Sequence, residues 1–316
     1  MKIAFMGTPD FSVPVLKNLI DNSDYEVVCA VTQPDRPKGR KHSLLPTPVK
    51  KLALQYDIPV LQPEKVRAKE AVETILNYRP DVLVTAAYGQ ILPQSLLEGP
   101  PLGCINVHAS LLPDYRGAAP IQQAIIDGRT ETGVTIMYMV KKLDAGDILA
   151  QVRVPIEADE TFGMLHDKLS QAGSRILMDT LPKLASGALH PRKQDEARVT
   201  FAPSIKHEDE QIDWEKQAAA IRNLIRGLNP FPGAFTTLEG KVFKIFTAEL
   251  TDEKTSESSG ALTRIAEDGL FVATGSGEVL EVTECQPAGK KKMKVADFLR
   301  GSGRDLQVGR RLGERL

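Results

Sequence analysis

The chain has 316 residues, of which 42% are hydrophobic, and its formal net charge at pH 7 is −1. This length predicts two domains with enough apolar side chains for a core in each, and the near-zero charge excludes a generically cationic protein. The apolar runs, such as residues 82–87, are too short to span a membrane, so we expect no membrane partner.

The first half of the chain alternates strand-like apolar runs with helical patterns, which predicts an α/β fold with a doubly wound parallel sheet. The predicted strands lie at residues 2–6, 26–32, 59–61, 81–87, 104–108 and 135–139, and the predicted helices at residues 13–20, 48–56 and 68–78. Residues 160–186 form a long amphipathic helical segment that is expected to close this domain.

The composition changes after residue 190. Residues 190–206 are polar and irregular, which is typical of a linker. Beyond them we expect a helix at residues 214–227, a set of short strands typical of a small β-barrel, and a polar loop at residues 251–260. The predicted boundaries are therefore a catalytic domain at 1–189, a linker at 190–206 and a C-terminal domain at 207–316.

The opening segment MKIAFMGTPDF carries two expectations. It lacks the long apolar region of a secretory signal, which favours the cytoplasm. Its turn supplies one glycine before a proline, so a nicotinamide cofactor is disfavoured and the chemistry is expected elsewhere in the sheet.

Cys29, Cys104 and Cys285 are scattered without metal-ligand spacing, and we expect reduced, buried thiols.

Two polar residues stand out on the predicted strand at 104–108. Asn106 and His108 share one face because strand side chains alternate with period two. A lone buried histidine is more often a satisfied core residue. This pair, however, lies at the carboxyl end of a strand, where open sheets bind ligands, and the loop with Asp144 and Asp147 follows the next strand.

Such a set of residues suits acyl transfer to an amine. Attack on a formyl carbon develops a negative oxygen, which Asn106 and protonated His108 can stabilise by donating hydrogen bonds. Asp144 can hold the imidazole and favour its charged form, whereas Asp147 is more easily explained as a loop residue. The chain has no nucleophile elbow, so we expect direct transfer between two bound substrates.

Three runs surround these residues: NVHASLLP at 106–113, YRGAAPI at 115–121 and DAGD at 144–147. They resemble the formyltetrahydrofolate-dependent formyltransferase family. The resemblance implies a Rossmann-like N-terminal domain, an OB-like C-terminal barrel and no metal. It assigns catalytic roles to Asn106, His108 and Asp144 and a folate site to Ser110, Leu111, Leu112 and Pro113, with residues 88–92 near the pterin.

Further runs narrow the resemblance to members of the family that act on methionyl-tRNA. They are FMGTP at 5–9, QPDRPKGR at 33–40, IDW at 212–214, NPFPGA at 229–234 and QPAGKKKM at 286–293. These runs imply transfer of the formyl group of 10-formyltetrahydrofolate to the free amino group of methionyl-initiator tRNA. The chain departs from the family pattern at Asp114-Tyr115 and at Ala145, and no contact is carried over to those positions.

Positive charge is concentrated in two segments. The inserted loop at 34–49 and the C-terminal segment supply the residues expected to contact tRNA, namely Arg36, Lys38, Arg40, Lys41, Lys290, Lys291 and Lys292. Charge runs are usually solvated surface. Because the loop follows a strand of the predicted sheet, we expect phosphate contacts that set affinity and orientation. A monomer is expected, since the tRNA occupies one face.

Three alternative functions stay open at this point. A formyltransferase acting on a small amine needs neither the second domain nor the basic loop. A hydrolase that releases formate is disfavoured by the basic segments and by the lack of an obvious regulatory domain. An RNA-binding module on an inactive sheet would predict loss of Asn106, His108 or Asp144, and all three are present.

Overall fold

The computed structural model describes residues 1–38 and 43–314. The chain divides into two compact units. The first comprises Met1–Pro120, Glu131–Pro155 and His166–Pro203, and the second comprises Ile121–Thr130, Ile156–Leu165 and Ser204–Leu316. Within the described residues, none of the helices combines the length and apolar character needed to cross a membrane.

The first unit is built on a seven-stranded sheet. The strands of the whole unit, including those outside this sheet, are β1 (Lys2–Gly7), β2 (Glu26–Val31), β3 (Arg36–Lys38), β4 (Ser43–Leu45), β5 (Val60–Leu61), β6 (Val82–Ala86), β7 (Cys104–His108), β8 (Arg116–Gly117), β9 (Glu131–Tyr138), β10 (Ile148–Pro155) and β11 (Phe201–Ala202). The main sheet has the order β10-β9-β7-β6-β1-β2-β5. Strands β3 and β4 form a separate hairpin, and β8 pairs with β11.

The predicted doubly wound architecture is confirmed, with one difference at its edge. Strands β5, β2, β1, β6 and β7 are parallel, whereas β9 is antiparallel to β7 and β10 is antiparallel to β9. The sequence analysis missed β10. Residues 139–147 are too short for the crossover of about a dozen residues that a parallel pair requires, so β9 and β10 form a hairpin.

The helices of the first unit are α1 (Ser12–Asp21), α2 (Pro48–Gln55), α3 (Lys69–Asn77), α4 (Gln94–Glu98) and most of α6 (Phe162–Ala185). Helix α5 (Pro120–Ile126) lies almost entirely in the second unit. Helix α2 begins where the Thr47 hydroxyl accepts a hydrogen bond from the Lys50 amide, with Pro48 in the first turn. One core cluster contains Met6, Cys29 and Cys104, which confirms that these two cysteines are buried.

The second unit contains a six-stranded antiparallel sheet. Its elements are β12 (Phe235–Leu238), β13 (Lys241–Lys254), β14 (Leu262–Ile265), β15 (Leu270–Ala273), β16 (Glu278–Pro287), β17 (Met293–Lys294), α7 (Ala218–Gly227) and α8 (Val295–Arg300). The strand order is β12-β13-β16-β15-β14, and β17 pairs with β16. The predicted C-terminal domain of short strands is confirmed as this antiparallel sheet.

Two boundaries in this unit differ from the prediction. Residues 251–254, predicted as loop, extend β13, where Lys254 pairs with Glu278 across the sheet. The predicted helix at 214–227 begins only at Ala218, because Trp214 is buried in the core and its indole nitrogen donates a hydrogen bond to Thr236 at 3.0 Å. Backbone strand pairing and core packing thus override the local pattern.

Candidate active site

The candidate site lies where the parallel strands of the first unit end. Gly7 of β1 pairs with Ala86 of β6, and Thr85 of β6 pairs with Asn106 of β7, so the three carboxyl ends are adjacent. In the sheet, β2 lies on one side of β1 and β6 lies on the other, so the strand order reverses at β1. Open α/β sheets bind ligands beyond the carboxyl ends at such a reversal of strand order.

His108 ends strand β7 and is almost fully buried, with 6% of its surface exposed. Its Nε2 lies 3.0 Å from the carbonyl oxygen of Tyr115. A carbonyl oxygen only accepts, so Nε2 carries the proton and Nδ1 is the nitrogen that can gain one. Nδ1 lies 3.9 Å from Oδ2 of Asp144.

Asn106 is half-buried and stands two residues before His108 on the same strand. Its side-chain oxygen accepts a hydrogen bond from the buried hydroxyl of Thr85 at 2.7 Å. This contact orients the amide so that its NH₂ group is left to donate elsewhere. The sequence analysis missed Thr85, because a threonine inside an apolar strand carries no local signal that it faces a neighbouring strand's amide.

Asp144, and not Asp147, is the carboxylate beside His108. Its Oδ2 also accepts a hydrogen bond from the backbone amide of Gly117 at 2.8 Å. Gly117 has a φ of +123°, and a Cβ there would lie 2.6 Å from the Ala202 carbonyl oxygen, so the close approach requires glycine. The Asp147 carbonyl instead accepts from the Tyr138 amide and helps close the β9–β10 hairpin.

The predicted folate loop follows His108 directly. Ser110 is fully buried and its hydroxyl donates to the Asp114 carbonyl at 2.6 Å, so this hydroxyl shapes the loop. Leu112 is buried, and its amide donates to the Thr135 hydroxyl at 3.1 Å. Leu111 and Pro113 are half-buried. The loop is braced by β9 and keeps two of its four side chains partly accessible.

The stretch predicted to lie near the pterin contains buried and exposed members. Tyr88 and Leu92 are buried in the core, whereas Ile91 is largely exposed. Burial raises the pKa of Tyr88 to about 12, so its hydroxyl stays protonated at neutral pH. Within the described residues that buried hydroxyl has no hydrogen-bond partner.

The predicted basic residues differ in their surroundings. Arg36 forms an exposed ion pair with Glu64 at 2.7 Å, while Arg40, Lys41 and the side chain of Lys38 lie outside the described residues. In the second unit, Lys290 and Lys291 are exposed. Lys292 pairs with Glu284 at 2.8 Å.

Sequence reasoning also missed three residues around the Asp144 loop. Arg116 is completely buried and its guanidinium contacts the side chains of Gln194 and Glu196. Gln194 and Glu196 fall in the segment predicted to be a polar linker. Their role depends on a tertiary contact, which the composition of that segment does not reveal.

Comparisons with known proteins identify relatives over nearly the whole chain. The model of the formyl transferase family matches residues 1–181, and the model of the formyl transferase C-terminal domain matches residues 204–303. The methionyl-tRNA formyltransferase of Geobacillus sp. (strain WCH70) is 55% identical over 314 residues, which is 99% of this chain and 98% of that protein.

Two solved structures share the fold. The methionyl-tRNA formyltransferase from Clostridium thermocellum superposes with a TM-score of 0.56 at 19% identity and covers 80% of this chain and 95% of that one. HypX from Aquifex aeolicus, in complex with tetrahydrofolic acid, superposes with a TM-score of 0.64 at 18% identity over 97% of this chain. The chain spans about half of HypX, covering 48% of it.

Proposed function

The chain belongs to the formyl transferase family, and from this membership we propose that it transfers the formyl group of 10-formyltetrahydrofolate to the free amino group of methionyl-initiator tRNA. The product is N-formylmethionyl-tRNA for translation initiation. One observation above all supports the proposal: 55% identity to a methionyl-tRNA formyltransferase extends over both units.

The chemistry is assigned to the three side chains at the carboxyl end of β7. The amine attacks the formyl carbon to give a tetrahedral intermediate, whose collapse breaks the bond to the carrier nitrogen. That nitrogen gains the proton that the amine loses. The Asn106 NH₂ group, oriented by Thr85, donates to the developing oxyanion. His108 carries this proton at Nδ1, and the Asp144 carboxylate lies 3.9 Å from that nitrogen.

The remaining assignments are part of the same proposal. Ser110, Leu111, Leu112 and Pro113 shape the site for the folate donor. Arg36, Lys38, Arg40 and Lys41 in the first unit, and Lys290, Lys291 and Lys292 in the second, contact tRNA phosphates without reading sequence. The protein acts as a monomer in the cytoplasm.

The proposal is tested by measuring formyl transfer from 10-formyltetrahydrofolate to three acceptors: methionyl-initiator tRNA, methionyl-elongator tRNA and a nucleotide-linked amino sugar. Transfer confined to the initiator supports the proposal. Transfer to the amino sugar alone moves the acceptor to a small amine. Release of formate without any amine product makes the protein a hydrolase, and either of these results contradicts the proposal.

The catalytic assignment has its own variant. His108→Ala removes the group that moves the proton, so kcat is expected to fall about 10²- to 10⁴-fold while the Kd for tRNA stays the same. The matched control is His190→Ala, which removes an exposed histidine of the same unit and leaves kcat unchanged. An unchanged kcat in His108→Ala excludes this residue from the mechanism.

A further inference from the structure

Residues 142–146, the acid loop, hold Asp144 in a backbone conformation that it does not favour. Asp144 has a φ of +46°, which is uncommon for a residue other than glycine. Burial fixes only one end of the loop, since Gly146 is buried whereas Lys142 and Leu143 are exposed. The position of the carboxylate beside His108 therefore depends on contacts from outside the loop.

Gln194 supplies two of those contacts. Its Nε2 donates to the carbonyl oxygen of Asp144 at 2.7 Å and to that of Gly146 at 2.8 Å. Both amide hydrogens are thus used on the backbone of the acid loop, on the two sides of Ala145. No other glutamine in the described residues bridges two carbonyls of this loop.

Arg116 determines which way the Gln194 amide points. Its Nε and Nη2 donate to Oε1 of Gln194 at 3.0 and 2.8 Å. A guanidinium has donors only, so it must face the amide oxygen, and the NH₂ group must then face the acid loop. The arginine side chain is fully buried, which leaves its donors no water as an alternative.

Glu196 completes the arrangement. It accepts from Nη2 of Arg116 at 2.8 Å and from Lys142 of the acid loop at 2.5 Å. The hydrogen bond from Arg116, followed by that from Lys142, lowers the pKa of Glu196 to about 2, so its charge is constant over the pH range of any enzyme assay. The amide of Gly117, next to Arg116, binds the Asp144 carboxylate itself.

From this network we propose that Gln194 is a positioning residue for the reaction, oriented by Arg116, which holds the acid loop so that Asp144 faces His108. The inference rests on the proposed function for its kinetic consequence only. Gln194 touches neither substrate in this assignment and acts through Asp144.

Two substitutions separate positioning from simple support of the buried arginine. Gln194→Glu keeps an oxygen acceptor for Arg116 but has no NH₂ group to donate to the loop, and Gln194→Met keeps neither. We expect both variants to lower kcat by about 10- to 100-fold, with KM for either substrate nearly unchanged. Gln94→Met, at an exposed glutamine that bonds Glu98, is the control and keeps the kcat of the parent.

A double-mutant cycle tests the route of the effect. If Gln194 acts through Asp144, Gln194→Met has no further effect on the residual rate of Asp144→Ala. The proposal is overturned if Gln194→Glu has the kcat of the parent protein. It is also overturned if Gln194→Met lowers kcat by the same factor in the Asp144→Ala background as in the parent.

Amide hydrogen exchange tests the same network without any acceptor substrate. The Gly117 amide is held by the Asp144 carboxylate, whereas the neighbouring Ala118 amide is held by the Ala202 carbonyl at 2.8 Å. In Gln194→Glu we expect exchange at Gly117 to accelerate by about tenfold or more while Ala118 stays protected. Unchanged exchange at Gly117 overturns the proposal even where the parent protein transfers no formyl group, so the two failures are distinguishable.

Discussion

His108 is held from two sides by groups of different chemical character. The Tyr115 carbonyl fixes the proton on Nε2, and the Asp144 carboxylate faces Nδ1. Because the backbone carbonyl oxygen can only accept a hydrogen bond, the tautomer of His108 is fixed before any substrate binds. Nδ1 is therefore the ring nitrogen that is left for proton transfer.

Thr85 performs a comparable task for Asn106, and this can be tested directly. Thr85→Val keeps the shape of the buried side chain but removes the donor to the Asn106 oxygen. Without it the amide is free to rotate, so we expect kcat to fall about tenfold with little change in KM. Steady-state kinetics with both substrates gives the measurement.

The chain provides a matched control for that substitution. Thr132 lies on β9 of the same unit, is also buried, and its hydroxyl has no hydrogen-bond partner within the described residues. Thr132→Val therefore removes a buried hydroxyl without breaking a contact, and kcat should be unchanged. Equal kcat values for the two variants would show that the Thr85 contact does not orient Asn106.

At the scale of elements, the sequence predicts those whose pattern is local. Period-two and period-3.6 apolar patterns located β1, β2, β6, β7 and α1–α3 to within about two residues. The period-two pattern also placed Asn106 and His108 on one strand face, which is a property of neighbouring residues that a sequence displays directly. The choice of Asp144 over Asp147 came instead from the expected chemistry and from the family resemblance.

The missed features depend on partners that are distant in sequence. Residues 251–254 are polar, yet they form strand because Glu278 lies across from Lys254. Residues 194–202 read as irregular, yet Gln194 and Glu196 bind Arg116, and β11 pairs with β8. A polar side chain whose partner is some 80 positions away leaves no trace in local composition.

The β16–β17 connection allows a prediction about tRNA binding in the second unit. Lys290 and Lys291 are exposed, and within the described residues no acidic side chain pairs with them. Lys292 is held by Glu284 and lies over the Phe246 ring, with Nζ 4.9 Å from the ring centre. We expect Lys290→Ala and Lys291→Ala each to reduce the salt dependence of tRNA binding by about one phosphate contact.

Lys254→Ala is the matched control for those two variants. It changes the net charge by the same amount at an exposed lysine of the same unit that is not among the proposed tRNA contacts, so the salt dependence should be nearly unchanged. The measurement is the slope of log Kd against log salt concentration for each variant. Equal slopes for all three variants would contradict the assignment of direct contacts to Lys290 and Lys291.

At the scale of the whole molecule, the two units have separate hydrophobic cores. Met6, Cys29 and Cys104 share one core cluster of the first unit, and Trp214 and Cys285 belong to that of the second. Proteins built in this way depart from a single cooperative unfolding transition when the cores differ in stability.

The three cysteines report on each core separately. Burial raises the pKa of Cys29 to about 12, and burial together with the charge of Glu284 raises that of Cys285 to about 12. Burial also raises the pKa of Cys104. At pH 8 a pKa of 12 leaves about one thiol in 10⁴ ionised, so the native protein should resist alkylation at all three positions.

In pulse labelling with iodoacetamide at increasing urea, read out by peptide mass spectrometry, we expect Cys29 and Cys104 to become reactive together and Cys285 at a different urea concentration. Coincident labelling of all three thiols would show that the two cores unfold as one cooperative unit, and rapid labelling of any of them without urea would show that its core opens in the native state.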